Sequence, residues 1–253
     1  MNMQKKKIRS IEPQEYRERD YRRVVNSPLN HQRVVVQETD IHLYSALPAD
    51  EMAREIVITQ RGHIEKYMAQ HPGFMQALAP WPEDPFAPPI VQAMIRAGRQ
   101  AGVGPMAAVA GAVAEQVGCR VLTVSPEVIV ENGGDIYLSS RSSLTVAVFA
   151  GASPISMKIG IGIESAGAPQ AVCTSSGTVG HSLSFGCADA VCVLSSSCPL
   201  ADAAATAIAN RVKSADDIQP SIDWGRRMGD LFGILIIAGP KMGVWGRLKI
   251  VPL

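Results

Sequence analysis

The chain has 253 residues, 47% of them hydrophobic, so it can bury a substantial core as one large domain or two small ones. Charged residues make up 19% and the formal net charge is +1, which gives no electrostatic case for nucleic acid or an acidic membrane as partner. No apolar run reaches the roughly 20 residues of a membrane-spanning helix; the most apolar run, Leu231 to Ala238, lies between Asp230 and Lys241.

The N-terminus is basic at Lys5, Lys6 and Lys7 but has no apolar stretch behind it. It does not read as a secretory signal, and the chain is expected in the cytoplasm. Residues 1–30 are polar and basic and are expected to form an N-terminal arm ahead of one domain over 31–253. Arg33 to Tyr44 reads as two strands around a polar turn. Ala49-Asp50-Glu51 opens a helical pattern that runs to about Gln70, with His63 and His71 near its end.

Pro80 to Pro89 contains five prolines and reads as a rigid linker or crossover. A helix near Ile90–Ala101, a Gly102-Val103-Gly104-Pro105 break and a second helix near Met106–Val117 follow, with Pro105 suited to a first helical turn. Arg120–Val124 suits either a short strand or a continuation of that helix. Val128 to Leu138 gives two apolar runs around Glu131-Asn132-Gly133-Gly134-Asp135, a hairpin signal. Leu144–Phe149 and Met157–Ile163 suggest a further strand pair. Gln170 to Gly186 reads as a Ser/Thr/Gly-rich loop, and Ala190–Leu194 as a buried strand. An Ala-rich helix is expected from Pro199 to about Val212, with final strands at Ile234–Ile237 and Leu248–Val251. Helices and antiparallel hairpins mix without regular strand–helix alternation, so the fold class is α+β.

Several stretches combine small residues with polar groups. The Gly133-Gly134 pair lets a ligand approach the main chain, and Asp135 and Glu131 are more than a turn requires. Gly104–Gly111 could present a helix N-terminus to an anion. Asp202 and Thr206 are four residues apart on one helix face and could share Mg2+ or Ca2+; the same spacing serves equally a helix cap and a buried hydroxyl. His181, among Ser, Thr and Gly, is the acid–base candidate. No Gly-x-Ser-x-Gly elbow, P-loop or Gly-x-Gly-x-x-Gly occurs. Four of the five cysteines, Cys173, Cys187, Cys192 and Cys198, fall within 26 residues. They lack Cys-x-x-Cys spacing and read first as small buried thiols in a reducing compartment.

Taken in order, these stretches resemble the ApbE-like superfamily, whose best-known members are Mg2+-dependent flavin transferases that cleave FAD and attach FMN to a protein threonine. The resemblance covers roughly residues 30–250. It is nearest to an uncharacterised-protein-family branch of anaerobic bacteria and archaea, which is linked to sulfide incorporation into homocysteine. Asn132, Gly133, Gly134 and Asp135 resemble the motif that borders the flavin. Thr174, Ser175, Ser176 and Gly177 resemble the following loop, and Ala201-Asp202 with Thr206 resembles the metal-binding helix start. The family position of a Lys-Gly pair is taken by Ala110-Gly111, with Glu115 near an acidic position. The resemblance implies an ApbE-like fold of antiparallel sheets with packed helices. It also implies a nucleotide-like small-molecule ligand, FAD or FMN, and Mg2+ at Asp202 and Thr206. The His-x-x-Asp-Pro-x-Thr-Gly signature is absent: His181 alone stands for its histidine, and Ser182-Leu183-Ser184-Phe185-Gly186 replaces the rest. That absence argues for ligand binding over flavin transfer. Two other readings stay open. One is a sulfur-assimilation factor in which Cys173, Cys187 or Cys192 carries sulfur as a thiolate. The other is a non-catalytic binding subunit. The small-residue helices and the N-terminal arm are compatible with a homo-oligomer.

Overall fold

The structure is a computed structural model that describes residues 29–164, 168–177 and 185–253. The first 28 residues, and with them nearly all of the expected arm, lie outside the described residues, as does His181.

Eleven strands and five α-helices form in the described residues: β1 (Asn30–Val36), β2 (Thr39–Ser45), α1 (Asp50–Gln70), α2 (Pro89–Ala101), α3 (Val109–Val121), β3 (Val128–Asn132), β4 (Asp135–Ser139), β5 (Leu144–Ala147), β6 (Ile159–Ile163), β7 (Gln170–Ser175), β8 (Ala190–Ser195), α4 (Cys198–Ala209), α5 (Ile218–Gly225), β9 (Leu231–Ala238), β10 (Lys241–Gly246) and β11 (Lys249–Pro252). Eight strands make one sheet in the order β1-β2-β3-β4-β7-β8-β9-β10, and β11-β6-β5 make a second. Every neighbouring pair is antiparallel. This is an α+β fold of antiparallel sheets with packed helices.

Alternation along the strands sends side chains to two cores. Ala171, Cys173, Val191, Val193, Ile234 and Ile236 face the helices with Ile90, Met94, Val117 and Ile208. Val172, Ala190, Cys192, Leu194, Leu235 and Ile237 face the small sheet with Val148, Ile161 and Ile163. The eight-stranded sheet is therefore a middle layer, covered by helices on one side and by three strands on the other.

Local chemistry explains most of the elements. Asp50 and Glu51 place charge against the first turn of α1. Pro88 and Pro89 start α2, and Gly102, at φ 74°, ends it in the left-handed region that favours glycine. The Pro-rich segment does serve as the crossover to α2, pinned by an edge-to-face contact of Trp81 with Phe74 and by the Tyr67 hydroxyl donating to Asp84 at 2.9 Å. Pro105 opens a 3-10 turn that leads into α3, and α3 continues to Val121, which settles the Arg120–Val124 ambiguity in favour of helix at its start.

One expectation is overturned. Gln170 to Ser175 is not loop but β7, a central strand between β4 and β8. Its composition misleads because Thr174 and Cys173 find partners inside the protein: Thr174 Oγ1 donates to Cys192 Sγ at 3.3 Å and Cys173 Sγ lies 3.4 Å from the Cys198 carbonyl oxygen. Strand β10 and the short helix α5 have no counterpart in the sequence reading. The first carries two glycines, and the second has only eight residues.

Candidate functional site

The hairpin β3–β4 turns at Gly133 and Gly134, whose φ angles of 74° and 107° make the two-residue primed turn expected of an Asn-Gly-Gly-Asp sequence. Its extra carboxylate serves the turn itself. Glu131 Oε1 accepts from the Gly134 amide at 2.8 Å, so that amide is not available to a ligand phosphate. A Cβ at Gly134 would find only the Thr174 carbonyl oxygen, at 3.6 Å, so the bare backbone here is approachable. Asn132 Nδ2 donates to the Ala110 carbonyl at 3.0 Å and fastens the hairpin tip to the start of α3.

Asn132 and Asp135 are paired across the turn, and Asp135 lies opposite Cys173 in register. All three therefore project towards the helices. There Cys173 Sγ meets the first residue of α4, 3.4 Å from the Cys198 carbonyl oxygen and 3.6 Å from its sulfur. Ser175 follows Cys173 by two and faces the same side. Its hydroxyl is buried and has no hydrogen-bond partner among the described residues. Thr174 points to the other face of the sheet, against Cys192, and its side chain is not brought to this group. Ser176 and Gly177 continue past the strand end, with the Gly177 amide donating to the Ala188 carbonyl at 2.8 Å.

Asp202 joins the cluster from α4. It is not an acid of its own helix's first turn; its Oδ2 accepts from the Gly111 amide at 2.9 Å and caps α3 instead. The helix start that could have held a ligand anion thus already holds a protein carboxylate. Gly111 makes this possible, since a Cβ there would meet the Cys198 carbonyl oxygen at 2.5 Å and Asp202 Cβ at 2.9 Å. Along α4 every residue is buried except Asp202 and Thr206, and Asn210 continues the same stripe just past its end. Three half-buried polar side chains at i, i+4 and i+8 mark the open face of an otherwise enclosed helix.

Burial and then the neighbouring Asp135 charge hold the Asp202 carboxyl well above the usual carboxylate range, against the pull of the Gly111 and Ala110 amides. Glu115 is raised by burial too, and its Oε2 accepts from the Cys198 amide at 2.7 Å. Burial pushes Cys198 and Cys192 up to about 11 and raises Cys173 well above its ordinary value. Burial therefore disfavours the thiolate form of all three thiols, the form a sulfur carrier would use, while Cys187 is exposed.

A family model described as "AbpE bacteria" matches residues 22–229. The chain belongs to this family. It is 36% identical over 232 residues to a UPF0280 protein of Methanococcus aeolicus, covering 86% of this chain and 90% of that one. A UPF0280 protein of Methanothrix thermoacetophila is 41% identical over 201 residues, 78% of this chain and 84% of the relative. Among solved structures, the flavin transferase ApbE from Vibrio cholerae superposes with a TM-score of 0.55 at 12% identity, covering 88% of this chain and 96% of that one. The apo flavinyl transferase ApbE of Pseudomonas stutzeri gives 0.53 at 12% identity, with 86% and 94% covered. At such identities the likeness shows the fold alone, and this chain has the ApbE-like fold. Among the described residues no helix is long and apolar enough to cross a membrane.

Local patterns had not shown that Asp135 and Asp202 face one another, nor that Ala110, Cys173 and Cys198 belong to the same group. Only Gly111 carried a signal. A glycine inside a helix costs about 1 kcal/mol relative to alanine, and a close neighbour is the usual reason for one.

Proposed function

We propose that this family member binds a flavin nucleotide, FAD or FMN, or a related phosphorylated small molecule, together with Mg2+. The observation that carries the reading is the half-buried Asp202 beside Asp135. Among the described residues, the groups that perturb Asp202 are another carboxylate and two amides, with no lysine or arginine. A hard divalent cation with oxygen ligands would balance that charge and favour a phosphate nearby. The donor set fits such an ion: Asp202 and Thr206 would hold it, with Asp135 close by. When bound, Mg2+ would supply charge neutralisation for the phosphates.

The chain's own residues would do the rest. Gly133 and Gly134 offer a surface without side chains, Asn132 holds that surface against α3, and the buried Ser175 hydroxyl offers an unused donor. Ser176 and Gly177 would border the ligand where β7 ends, while Thr174 would contribute main chain only. His181 is the acid–base candidate of this reading. The shared fold with flavin transferases supports a flavin ligand. The missing His-x-x-Asp-Pro-x-Thr-Gly signature supports binding without FMN transfer.

The test is titration of the purified protein with FAD, FMN and ADP, with and without Mg2+, followed by mass analysis for AMP. Mg2+-dependent binding without AMP release is expected. AMP release would restore flavin transfer, and failure of all three ligands to bind would overturn the reading.

A further inference from the structure

Residues 185–187 are pinned to the end of α4 more firmly than a loop exit requires. The Phe185 amide donates to Asn210 Oδ1 at 2.8 Å, and Lys213 Nζ donates to the Phe185 carbonyl. Cys187 follows with its amide on the Val212 carbonyl at 2.7 Å. Between them Gly186 lies flat on the helix end, where a Cβ would come within 2.9 Å of the Val212 carbonyl oxygen. Both backbone polar groups of Phe185 are thus satisfied by side chains from the C-cap of α4 and the segment just after it. The residue, by contrast, is 54% exposed.

Asn210, which holds Phe185, continues the half-buried stripe that begins at Asp202 and Thr206. Eight residues of helix separate Asp202 from Asn210, about 12 Å at 1.5 Å per residue. A ribityl phosphate with its attached ring can cover that span. An exposed aromatic ring on a backbone fixed at both ends is a preorganised stacking surface: the ordering cost is met before a ligand arrives.

Resting on the ligand reading above, we infer that Phe185 stacks on the planar ring of the bound nucleotide and so selects a flavin over a ligand that offers only phosphates. The cation end at Asp202 and the ring end at Phe185 would then be the two termini of one site along α4.

The experiment compares FMN and inorganic pyrophosphate binding, with Mg2+ present, for the intact protein, Phe185→Ala and Phe185→Trp, following flavin fluorescence and the Kd of each ligand. Stacking of a base on an aromatic side chain is worth about 1–3 kcal/mol by alanine substitution. Phe185→Ala is therefore expected to weaken FMN roughly 5- to 150-fold and change pyrophosphate less than about twofold, while Phe185→Trp retains FMN and quenches its fluorescence. Equal weakening of FMN and pyrophosphate, or unchanged FMN affinity in Phe185→Ala, overturns the inference and leaves the ligand reading standing. If the intact protein binds FMN in neither the presence nor the absence of Mg2+, the flavin reading falls, and this inference with it.

Discussion

The Gly111 amide donates to the Asp202 carboxylate at 2.9 Å across a contact too close for a Cβ. The reverse bond runs beside it, from the Cys198 amide to Glu115. Neither helix has a side-chain cap from its own N-cap residue, Ala108 for α3 and Ser197 for α4. Each carries the carboxylate that caps the other. This exchange of caps fixes α3 against α4 and holds Asp202 beside the hairpin tip.

Gly111→Ala should therefore be costly despite the better helix propensity of alanine. The added methyl would push α4 away from α3, an overpacking cost of roughly 1–3 kcal/mol. Urea denaturation checks this, and a variant as stable as the parent would mean that the contact relaxes freely.

Asp202→Asn should separate ligand binding from stability. Asparagine can still accept the Gly111 amide through its carbonyl, and it removes the repulsion with Asp135. The variant is expected to melt at or above the parent temperature without Mg2+ and to lose any Mg2+-dependent ligand affinity. Retained Mg2+ dependence, read by titration, would remove Asp202 from the metal site.

Glu115 sets a pH dependence whose sign is determined by its raised pKa. The folded state binds the proton more tightly than the unfolded state, so its contribution to stability is complete below the ordinary glutamate value near 4.5 and is lost as pH rises through the higher folded value. Glu115→Gln keeps an acceptor for the Cys198 amide and removes the titration. Thermal melts from pH 4 to pH 8 should show a flatter decline for Glu115→Gln than for the parent; matching slopes would show that the carboxyl titrates as if in water. Glu115→Ala, which also loses the cap, should cost about 1 kcal/mol or more at pH 4 and less as the pH rises.

The cysteines should divide by burial. Cys119 and Cys187 are exposed, while Cys173, Cys192 and Cys198 are buried with raised pKa values. Brief iodoacetamide treatment of native protein followed by peptide mass analysis should modify only the first two. Rapid labelling of Cys173 or Cys192 would revive them as sulfur carriers.

Gly134→Val should damage the hairpin through the backbone more than through contacts. Space exists for the side chain, but a β-branched residue at φ 107° is strained by roughly 1–2 kcal/mol. A folded variant, judged by circular dichroism, is expected to lose flavin-nucleotide affinity, and intact affinity would take the hairpin tip out of the site.

Much of this was legible in the chain. The Asn132–Asp135 turn, the helix after Pro199 and the break at Gly102–Pro105 follow from glycine and proline chemistry and from hydrophobic period, which act over a few residues. The α+β class follows from the same signals. Strand β7 was not legible, because Ser, Thr and Cys look like loop until their partners across the sheet are known. The role of Glu131 was misread for a related reason: its carboxylate looked surplus until it was seen on the Gly134 amide.

By itself, then, the sequence determined the local conformations and offered Asp135, Asp202 and Thr206 as separate polar residues, because backbone preference and periodicity are written in near neighbours. Only the tertiary structure decided that Asp202 caps α3, that it faces Asp135 and that Thr174 turns away from both. Those outcomes depend on strand register and on the approach of α3 to α4, contacts between residues tens of positions apart that no local pattern encodes.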